Sequence, residues 1–180
     1  MAMTLIADNT ADTTDLSATA FTSGLDNTYK LYIFKFWNMN PATDGADWEF
    51  QCSTDGGSNY NVTATTTVMH ASHDETDDNN TAFGYRGSND KAQSTDYMLL
   101  AAPIGNGGDE SASGELFLFN PSDTTYTKYF YSTCLCYDSN DAVRAWYTGG
   151  TLNTTSAIDA INFQMSSGNF DGTVKMFGVG

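Results

Sequence analysis

Two histidines and four carboxylates crowd into one short stretch of this 180-residue chain: His70, His73, Asp74, Glu75, Asp77 and Asp78. Clustered carboxylates can hold Ca²⁺, and imidazole with carboxylate can hold a transition metal. The spacing does not fit an EF-hand loop, which needs its glycine and its terminal glutamate in fixed register. The stretch from 70 to 96 is the most polar of the chain and reads as a long exposed loop. On that reading the cluster at 70–80 is a solvated acidic loop, and no metal ligand and no cofactor is assigned to it. No catalytic residue is assigned elsewhere. The chain has no G-x-S-x-G elbow, no H-E-x-x-H and no phosphate-cradling loop. Carboxylate pairs of the glycosidase kind are expected from composition alone in a chain with 22 Asp and Glu. Trp146, Tyr147 and Tyr60 lie near turns and could stack on sugars, although such aromatics more often serve as core or subunit contacts. The expectation is therefore a protein that is not an enzyme.

Cys52, Cys134 and Cys136 are odd in number, so they cannot all pair with one another. Cys134 and Cys136 lie two apart in an expected strand, hence on one face. Buried free thiols are the expectation, not a disulfide framework or a zinc site.

The formal net charge is −15, with 7 Lys and Arg in all. Without a basic patch to neutralise phosphates, nucleic acid is excluded as a partner, and an anionic membrane surface is disfavoured for the same reason. The start of the chain, MAMTLIADNT, lacks a basic segment followed by a sustained apolar one, and no run approaches the length of a membrane span. Synthesis in a cytosol is expected. Only 16% of residues are charged, against roughly 25% in ordinary domains. Thr, Ser, Asn and Gly supply the polarity instead, and they suit strands and turns better than helices.

The elements that would position these residues are strands. Asp47 to Ser53 alternates Trp48, Phe50 and Cys52 with Glu49 and Gln51, which is the period of a half-buried strand. Tyr126 to Tyr137 puts Tyr129, Tyr131, Leu135 and Tyr137 on one face and Phe130, Cys134 and Cys136 on the other. Further strands are expected at Leu16–Phe21, Tyr60–Met69, Phe83–Tyr85, Asp96–Ala102 and Ala142–Thr148, the last ended by Gly149-Gly150. Tyr29 to Trp37 and Gly114 to Asn120 are apolar on both faces. One half-solvated sheet cannot explain that, so a second cover is expected from a loop of the same chain or from another subunit. The chain closes on two strands. Ile161, Phe163 and Met165 share a face, then Ser166-Ser167-Gly168-Asn169 turns, and Val174 and Met176 share the next. They form a hairpin or cross between sheets. The fold class expected is all-β, an antiparallel β-sandwich, with residues 1–15 as an N-terminal arm or edge strand and 16–180 as a single domain.

The stretch SAIDAINFQMSSGNFDGTVKMFGV, with STDGGSNYNVT, SGELFLFNPS and TTSAIDAINF upstream, resembles small β-sandwich structural proteins of tailed bacteriophages, especially those of marine and cyanobacterial hosts. These motifs are strands and turns, and none is catalytic. The resemblance implies a jelly-roll-like module of a virion, made in the cytoplasm of the host bacterium. It implies a capsid decoration or cement protein, a homotrimer that binds the major capsid protein of the shell. The alternative is a tail-fibre or receptor-binding module that reads host surface glycans. On the decoration reading, the face toward the shell would carry exposed aromatics and the few basic residues, such as Lys30, Lys35 and Arg144.

Overall fold

A computed structural model describes residues 2–9, 15–76 and 81–180. Twelve strands are found among them: β1 (Met3–Asp8), β2 (Thr19–Phe21), β3 (Leu31–Pro41), β4 (Ala46–Ser53), β5 (Ala64–Asp74), β6 (Ala82–Tyr85), β7 (Met98–Ile104), β8 (Ala112–Phe119), β9 (Lys128–Tyr137), β10 (Ala142–Leu152), β11 (Ala160–Met165) and β12 (Phe170–Val179). They form two antiparallel sheets in a sandwich-like arrangement. The large sheet runs β1-β12-β3-β8-β9-β10-β5-β6 and the small one β2-β11-β4-β7.

Alternation decides what each sheet turns inward. Trp48, Phe50 and Cys52 of β4 and Ile161, Phe163 and Met165 of β11 are buried in one core cluster with Tyr32, Phe34 and Phe36 of β3 and Val174 and Met176 of β12. The centre of that core is aromatic. Trp48 stacks on Phe163 at 5.8 Å and meets Phe170 edge-on at 5.0 Å. Phe50 meets Phe130 edge-on at 5.0 Å, which ties the small sheet to β9 of the large one. Such contacts add about 0.5–1.5 kcal/mol each beyond the area they bury.

The two closing strands cross between sheets. β11 pairs with β4 and β2, whereas β12 pairs with β3 and β1. Gly168, at φ +70°, makes the turn between them in the left-handed region that glycine enters without steric cost. Residues 3–8 lie as the edge strand beside β12.

Several boundaries differ from the sequence reading for physical reasons. β3 continues past Trp37 to Pro41 because Met39 is buried. β10 continues through Gly149-Gly150 to Leu152, paired on both sides by β5 and β9, so two glycines do not end a strand whose hydrogen-bonding partners continue. β5 does not stop at Met69. It runs to Asp74 along β10, so the first five residues of the expected 70–96 loop are strand.

Candidate interaction face

The strand assignment breaks up the His and acid cluster. His70 and Asp74 are buried, but His73, one residue out of phase, is exposed. A strand sends successive side chains to opposite faces, so the two imidazoles cannot converge on one ion. The His70 ring lies 4.8 Å from that of Trp146, its cross-strand neighbour, and its Nε2 accepts from Arg86 Nε at 2.7 Å. Burial, then the Arg86 and Arg144 guanidiniums, hold this imidazole below its ordinary pKa and keep it neutral. His73 Nδ1 is 2.7 Å from the Asp74 carbonyl oxygen. Asp77 and Asp78 lie outside the described residues. Among the described residues no group of three His, Cys, Asp or Glu is placed to hold a metal ion.

The three aromatics considered for sugars do not converge either. Trp146 is buried while Tyr147 points out of the other face, and Tyr60 packs over Gly57 near the small sheet. The three thiols are free and buried. Arg144 is not on an exposed aromatic face, since it turns back to the fully buried Asp138 carboxylate.

The outward face of the large sheet is the unusual surface. Register and alternation put Met3 and Leu5 of β1, Trp37 of β3, Phe119 of β8, Tyr129, Tyr131 and Leu135 of β9, Val143 and Tyr147 of β10, Met69 of β5 and Phe83 and Tyr85 of β6 on it. All of these are exposed, from 37% at Trp37 and Phe119 to 81% at Phe83. Tyr126 is the one other large hydrophobic exposed among the described residues, so this face gathers nearly all of them. The side chains are ordered against one another: Phe117 stacks on Tyr131 at 4.5 Å, and Phe119 lies 5.8 Å from the same ring.

Charge at the β1–β8 half of this face is paired, while Glu75 and Asp90 bond Tyr137 and Tyr85 toward its other end. Asp8, Lys175, Lys35 and Glu115 form a row across four adjacent strands. Lys35 Nζ meets Glu115 Oε2 at 2.6 Å, Lys175 Nζ lies 3.8 Å from Asp8 Oδ2, and Lys175 also sits 5.6 Å from the centre of the Trp37 ring. Two acids and two lysines sum to zero in a chain whose total is −15. Lys35 is thus the one of the three expected basic residues that this row contains.

Hollows indent the face; besides a small one of about 250 Å³ between Leu135, Tyr137 and Val143, two are larger. One, of about 470 Å³, is lined by Ser113, Thr133, Ala145, Leu135 and Tyr147 with the Lys35–Glu115 pair at its side. The other, of about 480 Å³, is lined by Thr65, Thr67, Tyr129, Gly149 and Thr151. The second owes its depth to Gly149, whose missing Cβ would meet nothing closer than 3.9 Å.

The opposite exterior, that of the small sheet, is polar. Glu49 faces Gln164 and Gln51 faces Asn162 across β4 and β11. The segment 91–97 folds over them. Gln51 Nε2 donates to the Thr95 and Asp96 carbonyls at 3.0 and 2.9 Å, and Asn162 Nδ2 donates to Tyr97 Oη at 2.8 Å. Burial under this cover, then the neighbouring Asp47 charge, raises Glu49 to about 7, against the pull of Lys91. Asp47 is raised as well, by burial. A carboxyl that keeps its proton near neutral pH beside a second carboxyl is the raw material of general acid chemistry. The alternation of β4 put Glu49 outward in the sequence, but nothing in the sequence said that residues 91–97 would cover it.

Most members of the apolar face were likewise readable only in pairs. The tyrosine face of β9 and the two-sided pattern of β8 were visible. Met69, Val143, Phe83 and Tyr85 join it only through the register of β5, β6 and β10. No family model, no curated protein and no solved structure matches this chain.

Proposed function

We propose that this is a non-enzymatic assembly protein of a tailed-phage virion, of the capsid decoration class, and that the outward face of its large sheet is covered in the assembled state. The observation that carries the reading is that face: broad and aromatic, with its lysines paired to acids, on a strongly acidic chain. Contiguous exposed apolar surface of this kind marks interaction sites. The resemblance of the closing strands to phage structural proteins supplies the virion. The strand order supports a jelly roll. The small sheet, β2-β11-β4-β7, has the order of one jelly-roll sheet. β3, β5 and β6 of the large sheet fit the other, with the β8-β9-β10 meander in the place of a single strand.

A cement protein occupies every equivalent shell position. Quantifying protein bands of purified particles tests this, and a copy number in the hundreds, in proportion to the shell protein, is expected. A ratio below roughly one in ten defeats decoration, because sparse copies cannot clamp the many equivalent contacts of a closed shell. That result would favour a tail-fibre or receptor-binding module for host glycans. The mixed lining of the hollow beside Lys35 and Glu115, with Tyr147 at its wall, suits such a ligand.

A further inference from the structure

We infer that the outward face of the large sheet is covered by the same face of a second copy of this chain, giving a two-fold homodimer with four sheets in layers. The inference rests on reading this face as an interaction surface, and it does not depend on the virion assignment.

Area is the first argument. Eight strands at about 4.8 Å spacing, each running about six residues at about 3.3 Å with every second side chain outward, give roughly 38 by 20 Å, or about 750 Å². A stable interface of standard size buries about 800 Å² per partner, so one copy of this face is of the size needed. Sheets that pack face to face lie about 10 Å apart and interdigitate their side chains, so the central strands β8, β9 and β10 of two copies can meet in this way.

Charge is the second argument. Two copies of a chain at −15 repel one another over most approaches. The centre of the large-sheet face is where they can approach at the least of that cost, because Lys35 and Lys175 are paired with Glu115 and Asp8 within each copy, whereas Glu75 and Asp90 lie toward its β5–β6 end, bonded to Tyr137 and Tyr85. An acidic partner would find no basic excess here to complement.

Shape is the third. A two-fold interface uses one patch twice, so the patch must carry its own complement. This face has raised side chains (Tyr129, Tyr131, Leu135, Tyr147) and, between the same strands, the two hollows floored by Ala145, Thr133 and Gly149. The Phe117–Tyr131 stack holds part of the relief in place before contact, which lowers the ordering cost of binding. A three-fold ring, implied by the phage resemblance, joins two different patches per subunit. A single continuous face closes more completely with two.

Sedimentation equilibrium of the full chain at micromolar concentration is the test, with Leu135→Glu/Tyr147→Glu as the disrupting variant and Ala20→Glu, on the exposed exterior of the small sheet, as the control. The expected result is twice the 19.5 kDa chain mass for the wild type and the control. The double variant should sediment as a monomer with unchanged circular dichroism, its dimer weakened by about a hundredfold or more. Both positions are exposed, so the fold should tolerate the change; Thr133→Lys is the second variant if it does not. A wild-type monomer, a trimer, or a dimer that survives the face substitutions overturns the inference. The virion reading fails separately: a dimer missing from purified particles keeps this interface and loses decoration, and a monomer found in proportion to shell protein does the reverse.

Discussion

The two sheets expose exteriors of opposite character. Outside the small sheet are Asp47, Glu49, Gln51, Asn162 and Gln164, and the chain folds residues 91–97 over them with side-chain hydrogen bonds. Outside the large sheet are Tyr129, Tyr131, Leu135, Tyr147 and their neighbours, left in the open. The usual arrangement is reversed: polar groups are covered and apolar ones exposed. The difference teaches where each problem is solved. Buried amides and carboxyls need partners at fixed geometry, and a covalently attached loop provides them. An aromatic face needs only area, and a separate molecule can provide that.

Both exteriors depend on the core between them, so removing a strand from that core should have the largest effect. Truncation after Ser167 deletes β12, which lies between β1 and β3. The buried side chains of Phe170, Val174 and Met176 go with it. At about 1.5–3 kcal/mol each they amount to much of a total stability of about 5–15 kcal/mol, before the lost ladders on two sides are counted. The expected outcome is an insoluble or unfolded product. A soluble fragment with unchanged circular dichroism would show that β12 is an ornament on the sandwich.

Next in size is the contrast between the two faces of the same sandwich. Trp48→Ala removes a side chain in contact with Phe36, Phe163 and Phe170, and should cost about 3–5 kcal/mol. Tyr131→Ala, measured at a concentration low enough to keep the chain monomeric, should cost about 1 kcal/mol or less. Its ring is 43% exposed and loses mainly the stack on Phe117. Urea unfolding of both variants measures the gap. Equal costs would mean that the outward aromatics are part of the monomer's own core.

The core half of this contrast was legible in the sequence. Trp48, Phe50 and Cys52 declared one face by alternation, and so did Ile161, Phe163 and Met165. The two-sided apolar pattern of β3 was legible too, together with its demand for a second cover: Leu31, Ile33 and Trp37 sit on the outward face while Tyr32, Phe34 and Phe36 are in the core. What failed was the stretch 70–74. His70, Ser72 and Asp74 alternate with Ala71 and His73, but the inward set is polar, and a polar inward set looks like a loop. Arg86 and Trp146, the partners that make His70 acceptable inside, lie 16 and 76 residues further along the chain. Long-range pairing of this kind leaves no local trace.

The covered exterior has a pH signature that the apolar one lacks. Glu49 is raised from its ordinary value near 4.5 to about 7. Between those values the folded chain binds more protons than the unfolded chain, so this group's contribution to stability is fully present below about 4.5 and falls as pH rises toward 7 and beyond. Asp47, raised by burial, acts in the same direction. Because water still reaches Glu49, the loss is expected to be about 1–2 kcal/mol, or about 2–8 °C in Tm for a chain of this length. Melting curves from pH 5 to 8 should show a decline that Glu49→Gln flattens, with the variant the more stable at pH 8. Parallel curves for the two proteins would mean that residues 91–97 do not seal the carboxyl.

The smallest effect expected is none, and it concerns groups that belong to neither exterior. Cys52 lies in β4 and Cys134 and Cys136 in β9, all on inward faces of the sandwich. Burial pushes the Cys136 thiol up to about 12 and the other two well above the ordinary range, so almost no thiolate is present at neutral pH. The thiolate is the species that attacks disulfides and labelling reagents. Cys134 and Cys136 also lie two residues apart in an extended strand, about 6.8 Å between Cα atoms, at the outer limit of disulfide geometry. A mild reductant should therefore leave Tm unchanged. An aromatic disulfide reagent should label no thiol of the native protein within minutes and all three once it is unfolded in urea. The comparison sharpens if the labelling is repeated under conditions that separate the copies. Cysteines buried by the chain itself should stay silent in the monomer, because no partner covers them. Labelling that appears only on dissociation would place part of the thiol cover outside the chain, and the division between a self-sealed core and a face sealed by a second copy would have to be redrawn.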